Sequence, residues 1–162
     1  MSRSALKINQ CGFTLIELMV TIAIGLILIG GGLAAFRGAG AKEELKQAGY
    51  SFQINLRSFQ QKSLSGEKPV DCLGDLQGFR AESDPDLSSY KVKAECALVD
   101  GPETEFELGG EAVFEAEFSD IVFYVLKSGP LGAQTIVLNS SEGDYSYEVI
   151  IESTGVIRGG LL

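Results

Sequence analysis

Gly12-Phe13-Thr14-Leu15-Ile16-Glu17-Leu18 opens an apolar run that continues to Phe36. Between residues 13 and 36 the only charged side chain is Glu17. As a helix, these 24 residues would extend about 36 Å, more than a hydrocarbon core of about 30 Å. The segment is therefore expected to span a membrane. Gly25 and the run Gly30-Gly31-Gly32 are unusual in such a helix. Each costs about 1 kcal/mol against alanine in water, whereas in lipid small residues let helices approach closely. The triple glycine is open to a second reading, as a weak point where the helix stretches.

Working outward to the N-terminus, residues 1–12 are short, polar and basic, with Arg3 and Lys7 their only charged side chains. A secretory signal peptide places its apolar core before the cleavage site. Here Gly12 comes first, so a cut after it would leave the apolar segment on the mature chain. A lipoprotein reading would acylate Cys11, but Ile8-Asn9-Gln10 is not the small, apolar approach such a cysteine needs. An uncleaved signal anchor is the plainer alternative. With the basic leader held inside by its charge, the C-terminal body lies outside the cytoplasm.

A carboxylate within lipid costs about 3 kcal/mol at a helix centre and less near an end, so Glu17 calls for a cation. The segment offers none before Arg37. The nearest candidate is the α-amino group that cleavage after Gly12 would create on Phe13, either its own or that of a neighbouring subunit.

Gly-Phe-Thr-Leu-Ile-Glu-Leu followed by some twenty apolar residues resembles the class III leader of type IV pilins and type II secretion pseudopilins. The resemblance covers roughly residues 1–40. It implies cleavage between Gly12 and Phe13 by a prepilin peptidase and N-methylation of Phe13 by the same enzyme. Glu17 would then pair with the Phe13 amine of an adjacent subunit during filament assembly. The implied partners are that peptidase, other pilin or pseudopilin subunits, an inner-membrane assembly platform, and membrane lipid before assembly. One departure stands out: many family members carry a proline late in the apolar segment, and Gly30 to Gly40 contains none.

Beyond Phe36 the helical pattern continues but changes character. Ala41, Leu45, Ala48, Phe52, Leu56 and Phe59 recur at spacings of three and four, one apolar stripe, with Lys, Glu, Gln and Arg on the other faces. Gly66 and Pro69 end the helix. Residues 66–89 read as loop with one short strand around Gln77–Ala81. Glu82-Ser83-Asp84-Pro85-Asp86 clusters three acids without the ordered spacing of a calcium loop, and reads as a solvated acidic turn.

From Tyr90 the period changes to two. Tyr90–Leu98, Thr104–Leu108, Ala112–Phe118, Ile121–Leu126, Gln134–Leu138, Tyr145–Glu152 and Gly155–Arg158 read as strands separated by Gly, Pro, Asn and Asp turns. Strands this closely spaced argue for an antiparallel sheet with one face on the helix. The expected fold is α+β: a long N-terminal helix, half membrane and half amphipathic, on an antiparallel head. Its parts are a leader (1–12), a transmembrane and assembly helix (13–36), an amphipathic helix (37–65) and a β head (66–162). Over residues 112–158, the Ser-Gly-Pro turn, the Ile-Val-Leu strand and Tyr-Glu-Val-Ile-Ile-Glu-Ser-Thr-Gly-Val-Ile resemble the head of minor pilins and of the minor pseudopilin GspH.

Composition narrows the chemistry. The net charge is −9, and losing Arg3 and Lys7 with the leader takes it to −11, which repels nucleic-acid backbones. There is no histidine, so Ser-His-Asp and Cys-His nucleophile arrangements are excluded. Glu115 with Glu117, and Glu105 with Glu107, fall on strand faces as solvated pairs do. Gly30-Gly31-Gly32 does not follow a strand, as a phosphate loop would. No enzyme activity, cofactor or metal is expected. With Cys11 in the leader, Cys72 and Cys96 remain, an even number suited to one disulfide outside the cytoplasm; two buried free thiols are the alternative. The functional expectation is a structural subunit of a type IV pilus or type II secretion pseudopilus, minor rather than major. The rival is a membrane-anchored binding protein or tip receptor whose head recognises a secreted substrate, a surface or DNA.

Overall fold

A computed structural model of the chain describes residues 14–118, 120–127, 129–130, 132–141 and 145–162, with the backbone alone for residues 29–39. It divides into two compact units, Met1–Gly38 and Ala39–Leu162.

One helix, α1, runs from Leu15 to Ser65. In the first unit its described large side chains, from Leu15 to Leu28, are exposed. Apart from Glu17 and Thr21 this surface is apolar on every side, which is the composition of a helix built for lipid or for other helices. Among the described residues no helix is long and apolar enough to cross a membrane. The expected membrane segment, 13–36, extends into residues whose side chains lie outside the description.

In the second unit α1 carries the stripe the spacing calls for. Leu45, Ala48, Phe52 and Leu56 are buried, and Ala41 and Phe59 are half-buried at its ends. Eight strands pack against this face: β1 (Leu76–Ser83), β2 (Ser89–Cys96), β3 (Glu103–Glu107), β4 (Ala112–Phe114), β5 (Ile121–Tyr124), β6 (Gln134–Ser140), β7 (Ser146–Ile151) and β8 (Ile157–Leu161). They form two four-stranded antiparallel sheets, in the orders β3-β2-β1-β5 and β4-β6-β7-β8. The head is thus two sheets where the alternation alone argued for one.

The split arises where the chain changes sheets. The apolar–polar alternation runs from Ala112 to Phe118, but β4 ends at Phe114. Phe118 turns in against Phe52 and Phe114, at ring-centroid distances of 5.9 and 5.2 Å, and its N–H donates to Ser83 Oγ at 3.1 Å, drawing the chain towards β1. The next strand, β5, pairs with β1, with Phe123 opposite Phe79.

The helix joins the sheets. The Phe52 ring packs edge-on to Tyr90 of β2 (4.9 Å) and to Phe114 of β4 (5.4 Å). Buried polar groups on α1 are satisfied across the same boundary. Ser63 Oγ donates to the Phe123 carbonyl at 2.6 Å, and Gln53 Nε2 donates to the Tyr147 hydroxyl at 2.6 Å. Each such bond stabilises by about 1 kcal/mol net, and losing one partner costs more because the other stays buried. Arg57 and Gln60 donate to the carbonyls of Ile157 and Gly155, which caps one end of the β8 edge with side chains of the helix. Gly49 is where α1 comes closest: a Cβ there would lie 2.3 Å from the Tyr147 ring, so only glycine admits that ring.

Candidate functional site

The site the sequence singles out begins at residues 12 and 13. Gly12 and Phe13, the expected cleavage and methylation positions, lie outside the described residues. The description starts at Thr14, and there the local chemistry is clear. Thr14 stands just before the first helical residue, Leu15. Its Oγ1 accepts a hydrogen bond from the Glu17 N–H at 3.3 Å, and its carbonyl accepts from the Leu18 N–H at 3.2 Å. Thr14 is therefore the N-cap, satisfying one of the amides a helix start leaves unpaired.

Counting from that cap, Glu17 is the third residue of the helix. Thr14-Leu15-Ile16-Glu17 is a capping-box sequence, with a hydroxyl at the cap and a carboxylate three residues on. A negative charge there also lies at the positive pole of the helix, a contribution of about 0.3–1 kcal/mol. The isolated charge draws attention to Glu17 alone, but the Thr-x-x-Glu spacing also marks Thr14 as the cap. Glu17 is exposed on the first turn, among exposed Leu15, Ile16 and Leu18, and no cation pairs with it among the described residues. Chemically the arrangement presents one carboxylate, fixed in position by a capped helix start, from an apolar surface.

The second unit holds the other singled-out pair. Cys72 and Cys96 are joined in a disulfide, with Cα atoms 5.8 Å apart. It ties the turn after α1 to the end of β2. Beside it, Leu73 and Val99 form an isolated antiparallel bridge, in which the Leu73 N–H donates to the Val99 carbonyl at 3.0 Å. Cys72 is buried, and residues 69–75 are thereby held to the sheet without strand structure of their own.

The acidic stretch 82–86 is employed in the β1–β2 turn. Asp84 sits 2.7 Å from Lys91 Nζ and accepts from Ser89 Oγ at 2.8 Å, while Asp86 accepts from Ser88 Oγ at 2.7 Å. The hydrogen bond from Lys91 holds the Asp84 carboxyl below its ordinary range, and that from Ser88 does the same for Asp86. No group of three or more His, Cys, Asp or Glu able to hold a metal ion occurs among the described residues. Glu105 and Glu107 are exposed on β3, and Glu115 and Glu117 are exposed beyond the end of β4.

Residues 7–33 match the family model described as the prokaryotic N-terminal methylation motif. The structure is similar to that of the minor pseudopilin EpsH from the type 2 secretion system of Vibrio cholerae, with a TM-score of 0.51 and 15% identity over 74% of this chain and 96% of that one. At that identity the likeness concerns the fold. No curated protein matches the sequence. The N-terminal segment thus carries a prokaryotic N-terminal methylation motif, and the chain has a fold similar to that of a minor pseudopilin.

Proposed function

We propose that the chain is a structural subunit, minor rather than major, of a type IV pilus or a type II secretion pseudopilus. A prepilin peptidase cuts after Gly12 and methylates the amine of Phe13. The mature subunit waits in the membrane by its apolar helix, with the head outside the cytoplasm. Assembly moves that helix from lipid into a bundle with the helices of neighbouring subunits. Glu17 then pairs with the Phe13 amine of an adjacent subunit, and the assembly platform and other pilin-type subunits complete the machine.

The observation that carries this reading is the state of Glu17. It is held on the first turn by the Thr14 cap, exposed, and without a cation among the described residues, in a segment that matches the methylation motif. A carboxylate so placed is costly in lipid and gains an opposite charge on assembly. The processing half of the proposal is tested by mass spectrometry of the chain purified from membranes. The expected N-terminus is Phe13 carrying one methyl group. An intact Met1–Gly12 leader on membrane-resident protein would contradict it.

A further inference from the structure

A cavity lies beside β6. It is an open groove of about 560 Å³, walled by Glu115 to Phe118 on one side and Gln134 to Val137 on the other. Its origin is the change of sheets described above. β4 pairs with β6 only from Ala112 opposite Ser140 to Phe114 opposite Leu138, with one further bond from the Glu115 N–H to the Val137 carbonyl at 2.9 Å. The chain then departs for β1, and the first half of β6 keeps β7 on one side alone.

In an antiparallel ladder the N–H and C=O of one residue point to the same neighbour, and the direction alternates along the strand. Val137 points its carbonyl towards β4. Thr135, two residues earlier, therefore points its N–H and C=O the same way, into the groove, where no described residue pairs with them. A backbone donor and acceptor at strand spacing select an extended polypeptide. The charges select its composition. Asp120 is neutralised by Arg80, but Glu115 and Glu117 are exposed and make no ion pair among the described residues. An occupant passing them gains by carrying lysine or arginine, and an acidic one is repelled.

We infer that this groove binds a basic, extended segment of another polypeptide, which adds a short strand to the edge of β6 at Thr135. The accessible edge, Gln134–Ile136, accommodates about three residues at about 3.3 Å each. The inference is independent of the filament reading, because it concerns the head alone.

The test uses the full chain in detergent micelles and two blocked peptides, TKVKT and its acidic counterpart TEVET, with amide exchange read residue by residue. TKVKT is expected to slow exchange of the Thr135 amide by about tenfold or more at saturation, as a newly paired edge amide does. The amides of Ile136 and Leu138, already directed to β7, should not change. The apparent affinity should fall with added salt, and by about tenfold in the exposed double substitution Glu115→Lys with Glu117→Lys. Equal protection by TEVET would overturn the charge assignment. Binding that leaves Thr135 unprotected, or no binding of TKVKT at millimolar concentration, would overturn the site.

Discussion

Tyr90 shows how a single residue anchors the head. Its ring is 1% exposed, stacked on Phe106 at 5.3 Å and edge-on to Phe52, and its hydroxyl accepts from Asn55 Nδ2 at 2.7 Å. Burial pushes its pKa up to about 12, with the Asn55 hydrogen bond working in the other direction. An unfolded tyrosine ionises near 10. Between those values the unfolded chain has lost a proton that the folded chain still holds. Stability is therefore unaffected by this group below pH 10, falls as pH rises from 10 to about 12, and levels off above. Tyr90→Phe is expected to remove on the order of 2 kcal/mol of that alkaline loss, read as urea unfolding at the two ends of the window. Wild type and variant losing stability in parallel would place the alkaline sensitivity elsewhere. Thr14 is the comparable residue at the helix start: one hydroxyl satisfies the Glu17 amide and so decides where α1 begins.

At the scale of elements, the disulfide and the helix–sheet bonds do different work. The Cys72–Cys96 bridge closes a sequence separation of 24 residues around β1 and most of β2. By the chain-entropy estimate, a closed loop of that length stabilises by about 3 kcal/mol. Cys72→Ala with Cys96→Ala is expected to lower unfolding free energy by about that amount while retaining both sheets, measured by denaturant titration and circular dichroism. A change below about 0.5 kcal/mol would contradict the chain-entropy account of this bridge.

Most of the strands were legible because they alternate with a period of two and end in a turn, and Ile121–Leu126 because it is an unbroken apolar run. Their division into two sheets was not. Ala112 to Phe118 keeps its alternation past the point where β4 ends, and only contacts with Phe52 and Ser83, distant in sequence, turn the chain away. Burial of Gln53 was hidden for the same reason. On a helical wheel it belongs with the polar positions, and its partner, Tyr147, is 94 residues away. The apolar stripe on α1 was readable from local spacing alone, since it needs no knowledge of what covers it.

For the whole molecule, the two units divide the work. The first has described side chains that are exposed and apolar, a matching methylation motif, and a single unpaired carboxylate among the described residues. The second has its own core, a disulfide and an acidic surface. A net charge of −9, or −11 without the leader, works against contact with nucleic-acid backbones and in favour of basic partners. Glu17 stands out in the sequence because an isolated charge in an apolar run is expensive whatever the fold. The open edge of β6 was not legible, since it depends on the chain changing sheets.

The role of Glu17 in assembly is tested most directly by incorporation into sheared filaments. Cells expressing either wild type or Glu17→Ala are compared for chain in the membrane fraction, for the mature N-terminus, and for chain in purified filaments. The expected result is normal membrane insertion and normal cleavage after Gly12 in both, with the variant absent from filaments or reduced there by tenfold or more, about 1.4 kcal/mol or greater per incorporation step. Wild-type levels of Glu17→Ala in filaments would contradict the pairing of Glu17 with a neighbouring amino terminus.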